Sequence, residues 1–278
     1  MMNSFLSPVE QHYTQGNIYE TIIAHLQKDG IDTANITRKE LGGIDEFHIR
    51  GQEMTRELAQ EAGLQPGMRV LDAGCGLGGP CRLMADEFGC ITTGIDITAE
   101  YIETAKRLSQ LTGLQQGTNF VHGSATELPF DNESFDIAWT QHVQMNIADK
   151  KKFYAELSRV LVNGGQFLYY DIFSTGNGPI YFPVPWAATA SLSHLITTSE
   201  LASILNEAGL NLIKTTDQTQ KSIDFLEKFF ERVNKEGLPA LGSHLMMGDD
   251  ALEKLKNLLR NLSEKKIVVE SGMAIRKI

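Results

Sequence analysis

Long apolar runs are missing from this chain of 278 residues. A bilayer span needs about 20 mostly apolar residues, so no membrane span is expected. The first residues, "MMNSFLSPVEQHYTQGN", lack a basic stretch followed by an apolar one, so they do not read as a secretory leader. Cysteine is scarce. Cys75, Cys81 and Cys90 show neither a CxxC pair nor Cys/His ligand spacing. They read as free thiols in a reducing cytoplasm, with no metal site. An excess of basic residues is absent as well. With 25 Lys and Arg against 35 Asp and Glu, the formal net charge is −10. Phosphate backbones demand the opposite sign, so no nucleic-acid partner is expected. Repeats and low-complexity linkers are also absent, and a chain of this length can bury a sizeable core.

From residue 69 onward, short apolar stretches alternate with amphipathic ones. "RVLDAG" (69–74), "CITTGIDI" (90–97), "TNFVHGSA" (118–125), "SFDIAWTQ" (134–141) and "QFLYYDIF" (166–173) read as strands. So do "LNLIKTTDQ" (210–218) and "KIVVESGMAIRKI" (266–278). Helices are expected near 79–88, over 99–113, over 149–165 with a glycine stop, and near 199–208. Such alternation argues for an α/β fold with a parallel sheet covered on both faces. Ligands then sit beyond the carboxyl ends of the strands. Three regions fall outside the alternation: a helical stretch over 1–68, a Gly/Pro/aromatic loop over 174–198, and two or three helices over 221–263. The first two, and in part the third, are expected to cover the crevice.

The stretch "VLDAGCGLGGP" (70–80) carries four glycines behind the first strand. Bare backbone there lets a ligand approach closely. The spacing fits a dinucleotide pattern, yet Asp72 stands two residues before Gly74. A carboxylate at that mouth repels a pyrophosphate and suits an ammonium or a sulfonium. Asp96 ends the second strand, where it can accept both hydroxyls of a ribose. The polar turn in "GSATELPF" (123–130) suits an adenine at the end of the third strand.

In this order, "VLDAGCGLGG", "GIDIT", "GSATELPF", "SFDIAW" and "RVLVNGG" resemble the class I S-adenosylmethionine-dependent methyltransferases. The resemblance implies a Rossmann-like, seven-stranded sheet in three layers with its last strand antiparallel. It implies that Asp72, Gly74 and Gly76 line the methionine part of S-adenosylmethionine and that Asp96 holds the ribose. Ile97 would flank the adenine, and Ser124 and Ala125 would border its amine. Many relatives carry Asp where this chain has Ser124. Thr140 and Gln141 would approach the methionine part. The flanks "EQHYTQGNIYETI" (10–22), "GIDEFHIRG" (43–51), "TQHVQMNIADKKKFYAEL" (140–157) and "YYDIF…PVPWA" (169–187) look like small-molecule members, such as sarcosine/dimethylglycine N-methyltransferases. More distantly they are similar to quinone and sterol C-methyltransferases.

By that resemblance, residues 1–68 form a helical cap over the site, and residues 69–278 form the cofactor-binding unit with insertions at 174–198 and 221–263. Tyr13 and His48 in the cap can hydrogen-bond the cofactor. His142 can take a proton from an acceptor, since an imidazole titrates near neutrality. Asp171 at the end of the fifth strand can hold a substrate ammonium. Met145, Asn146, Tyr181 and Trp186 are the candidate acceptor contacts, with Phe182 completing an aromatic wall for a cation. A small amine is the leading acceptor. A larger apolar acceptor of C- or O-methylation is the rival, and a pocket lined by apolar side chains without Asp171 facing inward would favour it. A non-catalytic binder of the cofactor and an NAD-dependent oxidoreductase remain as other classes. A homo-oligomer is left open.

Overall fold

The computed structural model describes residues 8–14 and 16–278. The first seven residues and Gln15 of the expected cap therefore lie outside the described residues. A seven-stranded sheet runs through the centre. Its strands are β1 (Arg69–Ala73), β2 (Ile91–Asp96), β3 (Thr118–His122), β4 (Phe135–Gln141), β5 (Leu161–Ser174), β6 (Leu210–Asp217) and β7 (Ile267–Arg276), in the order β3-β2-β1-β4-β5-β7-β6. Strands β1 to β5 pair in parallel, whereas β7 runs antiparallel to both β5 and β6. The α/β sandwich is the one expected, including the antiparallel last strand.

Alternate side chains of each central strand feed two separate cores. Val70, Ile137, Trp139, Leu168 and Tyr170 pack on one face, against α3 (Gly51–Ala62), α4 (Gly79–Phe88), α8 (Thr219–Glu236) and α9 (Ala251–Ser263). Leu71, Ala138, Phe167 and Tyr169 pack on the other, against α6 (Lys150–Val160) and α7 (Thr198–Glu207). Because both faces are covered, the strands read as nearly continuous apolar runs. A capping box fixes the start of α7: Thr197 and Glu200 satisfy each other's backbone N–H groups.

Two boundaries differ from the expected ones. Helix α6 stops at Val160 instead of continuing to residue 165, because Leu161 turns extended and pairs with Phe135 of β4. The β-branched Val160 and Val162 suit that early change of state. Strand β3 stops at His122, where Gly123 donates to the Asp96 carbonyl and the chain turns through Ser124–Glu127.

Ahead of the sheet lie α1 (Pro8–Tyr13) and α2 (Ile18–Lys28). Gly16 and Ile18 both donate backbone N–H groups to the Glu100 carboxylate on α5 (Ala99–Leu111), at 2.8 and 2.9 Å. The segment is also pinned from inside. Arg82 of α4 is fully buried, pairs with Asp45, and reaches the carbonyls of Leu77 at 2.6 Å and Ala105 at 3.2 Å. No described helix is long and apolar enough to cross a membrane.

Candidate active site

A cavity of about 270 Å³ runs across the carboxyl ends of β4, β1, β2 and β3. Glycines open it. At Gly74 (φ +82°) a Cβ would lie 2.4 Å from the Val143 side chain. At Gly76 (φ +53°) a Cβ would meet nothing, because the backbone there faces open space. Gly79 serves a third purpose: a Cβ on it would lie 1.9 Å from the Asp45 carbonyl oxygen. Ligand, β4 loop and N-terminal segment each claim one glycine of the stretch.

Three carboxylates line this cavity, Asp45, Asp72 and Asp96, and no Lys or Arg does among the described residues. Burial pushes the Asp72 carboxyl up to about 7, and the Cys81 thiol is its hydrogen-bond partner at 3.6 Å. Asp96 accepts from the backbone of Gly76 at 3.0 Å and of Thr98 at 2.8 Å, and burial raises its carboxyl too. The field of this cavity is negative, which opposes a pyrophosphate and suits a cation. Several buried polar atoms facing this region lack a partner among the described residues: Gln141 Nε2, His142 Nε2, Tyr101 Oη and Asp45 Oδ2. Buried polar groups are nearly always paired, so these atoms mark a ligand site.

A second cavity, of about 80 Å³, adjoins the first and shares Tyr13, Phe47, His48 and His142 with it. Its remaining walls are Ile49, Met145, Ile172, Pro185 and Trp186, with Phe225, Leu226, Leu255 and Leu258 from α8 and α9, and Ser243 and Met247 between those helices. Apart from Tyr13, the two histidines and Ser243 the lining is apolar. It holds no carboxylate.

At the junction, the His142 and His48 rings lie 6.0 Å apart, and His142 stacks on Tyr170 at 4.9 Å. His142 adopts a left-handed backbone (φ +54°), and its N–H donates to the Tyr170 carbonyl at 2.8 Å. Burial, with His48 alongside, holds its imidazole well below the usual value, so the ring is neutral. His48 is held differently. Nδ1 faces the Ile49 carbonyl at 3.2 Å and Nε2 the Glu46 carboxylate at 3.0 Å. Thr55 Oγ1 lies within hydrogen-bond distance of both the Glu46 carboxylate and Gln141 Oε1 and donates its one proton between them, and Trp139 Nε1 donates to Gln141 Oε1 at 2.9 Å. That network leaves the amide nitrogen of Gln141 as its free end.

Of the residues singled out in the sequence, Tyr13, His48, Asp72, Gly74, Gly76, Asp96, Ile97, Ser124, Ala125, Gln141, His142 and Asn146 line the first cavity. Met145 and Trp186 line the second. Three lie elsewhere. Thr140 is buried and borders neither cavity. Tyr181 lies beneath Arg260 at 3.6 Å and Lys266 at 4.9 Å, so its ring already faces the protein's own cations. Asp171 is buried with its carboxylate turned into the chain. It accepts from the backbone of Val143 at 3.2 Å, Gln144 at 3.1 Å and Ile172 at 3.0 Å. Burial pushes its carboxyl up to about 7 despite those bonds and Lys150 nearby. Asp171 therefore anchors the loop after β4 and presents no oxygen to the second cavity. Phe182 packs in the core.

Sequence reasoning missed Asp45, Glu46, Thr55 and Tyr101; it placed the 221–263 helices partly over the crevice, and α8 and α9 do wall the second cavity, through side chains it did not single out. The stretch "GIDEFHIRG" did signal Asp45 and Glu46, two carboxylates beside an apolar run that buries them.

Comparison with known proteins follows the same lines. The family described as a methyltransferase domain matches residues 71–169. A sarcosine/dimethylglycine N-methyltransferase of Aphanothece halophytica is 29% identical over 167 residues, 60% of this chain and 60% of that protein. The chain spans about three fifths of the length of the curated relatives it matches. Among solved structures, Haemonchus contortus phosphoethanolamine N-methyltransferase 2 in complex with S-adenosyl-L-methionine superposes with a TM-score of 0.77 at 19% identity, covering 99% of this chain and 61% of that one. Geranyl diphosphate C-methyltransferase from Streptomyces coelicolor A3(2) gives 0.69 at 15% identity, covering 97% and 98%. At such identities the superpositions establish the fold.

Proposed function

We propose that this chain, whose residues 71–169 are a methyltransferase domain, moves a methyl group from S-adenosylmethionine to a small acceptor with an apolar body and one ionisable hydroxyl or acidic carbon. The observation that carries the acceptor class is the second cavity, apolar and free of carboxylates, with Asp171 turned away from it. An ammonium would find no counter-charge there. The likeness to a sarcosine/dimethylglycine enzyme supports a small amine as the second reading.

Bound S-adenosylmethionine supplies a methyl group already activated on a sulfonium. The chain has three tasks. Asp72 would balance the positive charge of the ligand, since no Lys or Arg lines the cavity among the described residues and Asp45 is already paired with Arg82. Asp96, its carboxylate fixed by the Gly76 N–H, would hold the ribose, and the free Gln141 amide would donate to the ligand's carboxylate. His142, neutral and without a partner at Nε2 among the described residues, stands where the two cavities meet and would take the proton that the acceptor gives up on receiving the methyl group. Phe47, Met145 and Trp186 keep water from the junction. Tyr13, Phe47 and His48 of the described N-terminal residues wall both cavities, and a cytoplasmic location is the reading that three cysteines without a pairing pattern support.

The test is S-adenosylhomocysteine release with S-adenosylmethionine and a panel holding apolar phenols and enols beside sarcosine, dimethylglycine and phosphoethanolamine. Turnover of a phenol or enol is expected. Turnover of an amine alone sinks the apolar reading and leaves the cofactor standing.

A further inference from the structure

The base end of the first cavity lies beyond β2 and β3, bounded by Ile97, Thr98, Ser124 and Ala125. Ile97 is fixed there because the His122 ring bonds its carbonyl at 2.9 Å. No lining carboxylate is free to face this end. Asp45 and Asp72 lie toward β1, and both oxygens of Asp96 already accept backbone N–H groups. Glu127, next along, points outward and pairs with Lys152 at 3.7 Å.

Two hydroxyls bound this end: Thr98 Oγ1, buried without a hydrogen-bond partner among the described residues and facing the Asp96 carboxylate, and Ser124 Oγ, which is engaged within its own turn. Ser124 Oγ accepts from the Thr126 backbone at 3.2 Å and shares a proton with Thr126 Oγ1 at 2.8 Å. The turn itself is closed by Glu127 donating to the Ser124 carbonyl at 3.0 Å. A hydroxyl has one proton and two lone pairs. Two of its three positions are filled before any ligand arrives, and the residue is half-buried, so water reaches the third.

Discrimination by a polar group depends on what is left unpaired when the ligand lacks the matching group. A buried carboxylate aimed at an exocyclic amine would be left unpaired and costly. Ser124 would be left with its partners intact. We infer that this site reads the C6 substituent of the purine weakly, so that nucleosides lacking the 6-amino group bind nearly as well as adenosyl ligands. The inference rests on the S-adenosylmethionine reading above and assigns the weak base selectivity to the lack of a carboxylate at position 124.

Calorimetry with S-adenosylhomocysteine and its S-nebularyl analogue, in which hydrogen replaces the 6-amino group, tests it. The wild-type protein is expected to bind the two within about fivefold. In Ser124→Asp the carboxylate gains a charged hydrogen bond to the amine, and the adenosyl ligand is expected to win by about 30-fold, within the range for such bonds. Ser124→Ala is expected to leave the wild-type ratio unchanged, and it serves if the aspartate variant does not fold. A wild-type preference for the amine above about 30-fold overturns the inference, as does a Ser124→Asp ratio equal to the wild-type one. If neither ligand binds, the cofactor reading itself has failed, and the inference falls with it.

Discussion

The Tyr13 hydroxyl donates to Asn146 Oδ1 at 3.0 Å, across 133 positions of sequence. Asn146 passes the connection on, donating from Nδ2 to the Trp186 carbonyl at 2.8 Å. His12 beside it bonds the Pro185 carbonyl at 3.1 Å. One short helix without a buried residue is thereby tied to the loop after β4 and to the wall of the second cavity. Tyr13→Phe removes the first link. A hydrogen bond of this kind contributes about 1 kcal/mol, so KM for both substrates is expected to rise by about fivefold. The melting temperature should barely move. A large drop in stability with unchanged KM would assign Tyr13 to packing alone.

Asp171 makes the contrasting case. Its carboxylate holds three backbone N–H groups, so Asp171→Ala leaves them buried and unpaired. A loss of about 3 kcal/mol or more is expected in denaturant unfolding. Asp171→Asn keeps one acceptor oxygen and should recover part of it. A stable Asp171→Ala protein with only a raised acceptor KM would return the residue to substrate binding.

His142→Ala is expected to lower kcat by about a hundredfold or more, the usual range for a positioned base. Affinity for S-adenosylhomocysteine should stay the same. Since burial holds the imidazole well below its usual value, no activity limb from His142 is expected between about pH 6 and 8. A bell centred on an ordinary histidine would contradict the neutral, buried ring.

Asp72 supplies the pH dependence of binding. Its carboxyl titrates at about 7 in the ligand-free protein, and a cationic ligand needs the ionised form. The Kd for S-adenosylmethionine should therefore tighten by about eightfold from pH 6 to 7.5, and Asp72→Asn should abolish the change. Stability of the ligand-free protein runs the other way. The folded-state value lies above the unfolded one of about 3.9, so the native state holds a proton that the unfolded chain has lost. That contribution is complete below about pH 4 and disappears as the pH rises through 7. Thermal unfolding at pH 5.5 and 8 checks the sign.

Trp186→Ala and Leu258→Ala act on the second cavity alone. Each is expected to raise the acceptor KM by about tenfold or more, through lost apolar contact, while cofactor Kd stays put. A change in cofactor Kd of equal size would mean that the two cavities are one site.

Much of the fold was legible because parallel strands buried on both faces leave unbroken apolar runs, and because the glycine stretch marks where the first strand ends. The lining of the first cavity was legible for the same reason: Asp72, Asp96 and Ser124 lie at or just past strand ends that the pattern locates. Asp171 shows the limit. The sequence put it near the end of the fifth strand, and it lies three residues inside the end of β5, but which way its carboxylate turns depends on the loop after β4, 27 and 28 residues away in sequence. Thr140 fails for a related reason, since alternation along β4 leaves only every second side chain toward the site. The side chains of α8 and α9 that wall the second cavity were not legible because amphipathic helices advertise an apolar face without saying what they cover.

Gly79 carries a last consequence. Its missing side chain is filled by the Asp45 carbonyl, and Asp45 is in turn clasped by Arg82 three residues further along the same helix. The N-terminal segment and the glycine stretch are thus cut to each other's shape. Grafting a foreign N-terminal segment onto this sheet to change acceptor preference would leave Arg82 buried without its counter-charge. A chimera intended to swap substrates has to carry Asp45, Gly79 and Arg82 across as one inheritance.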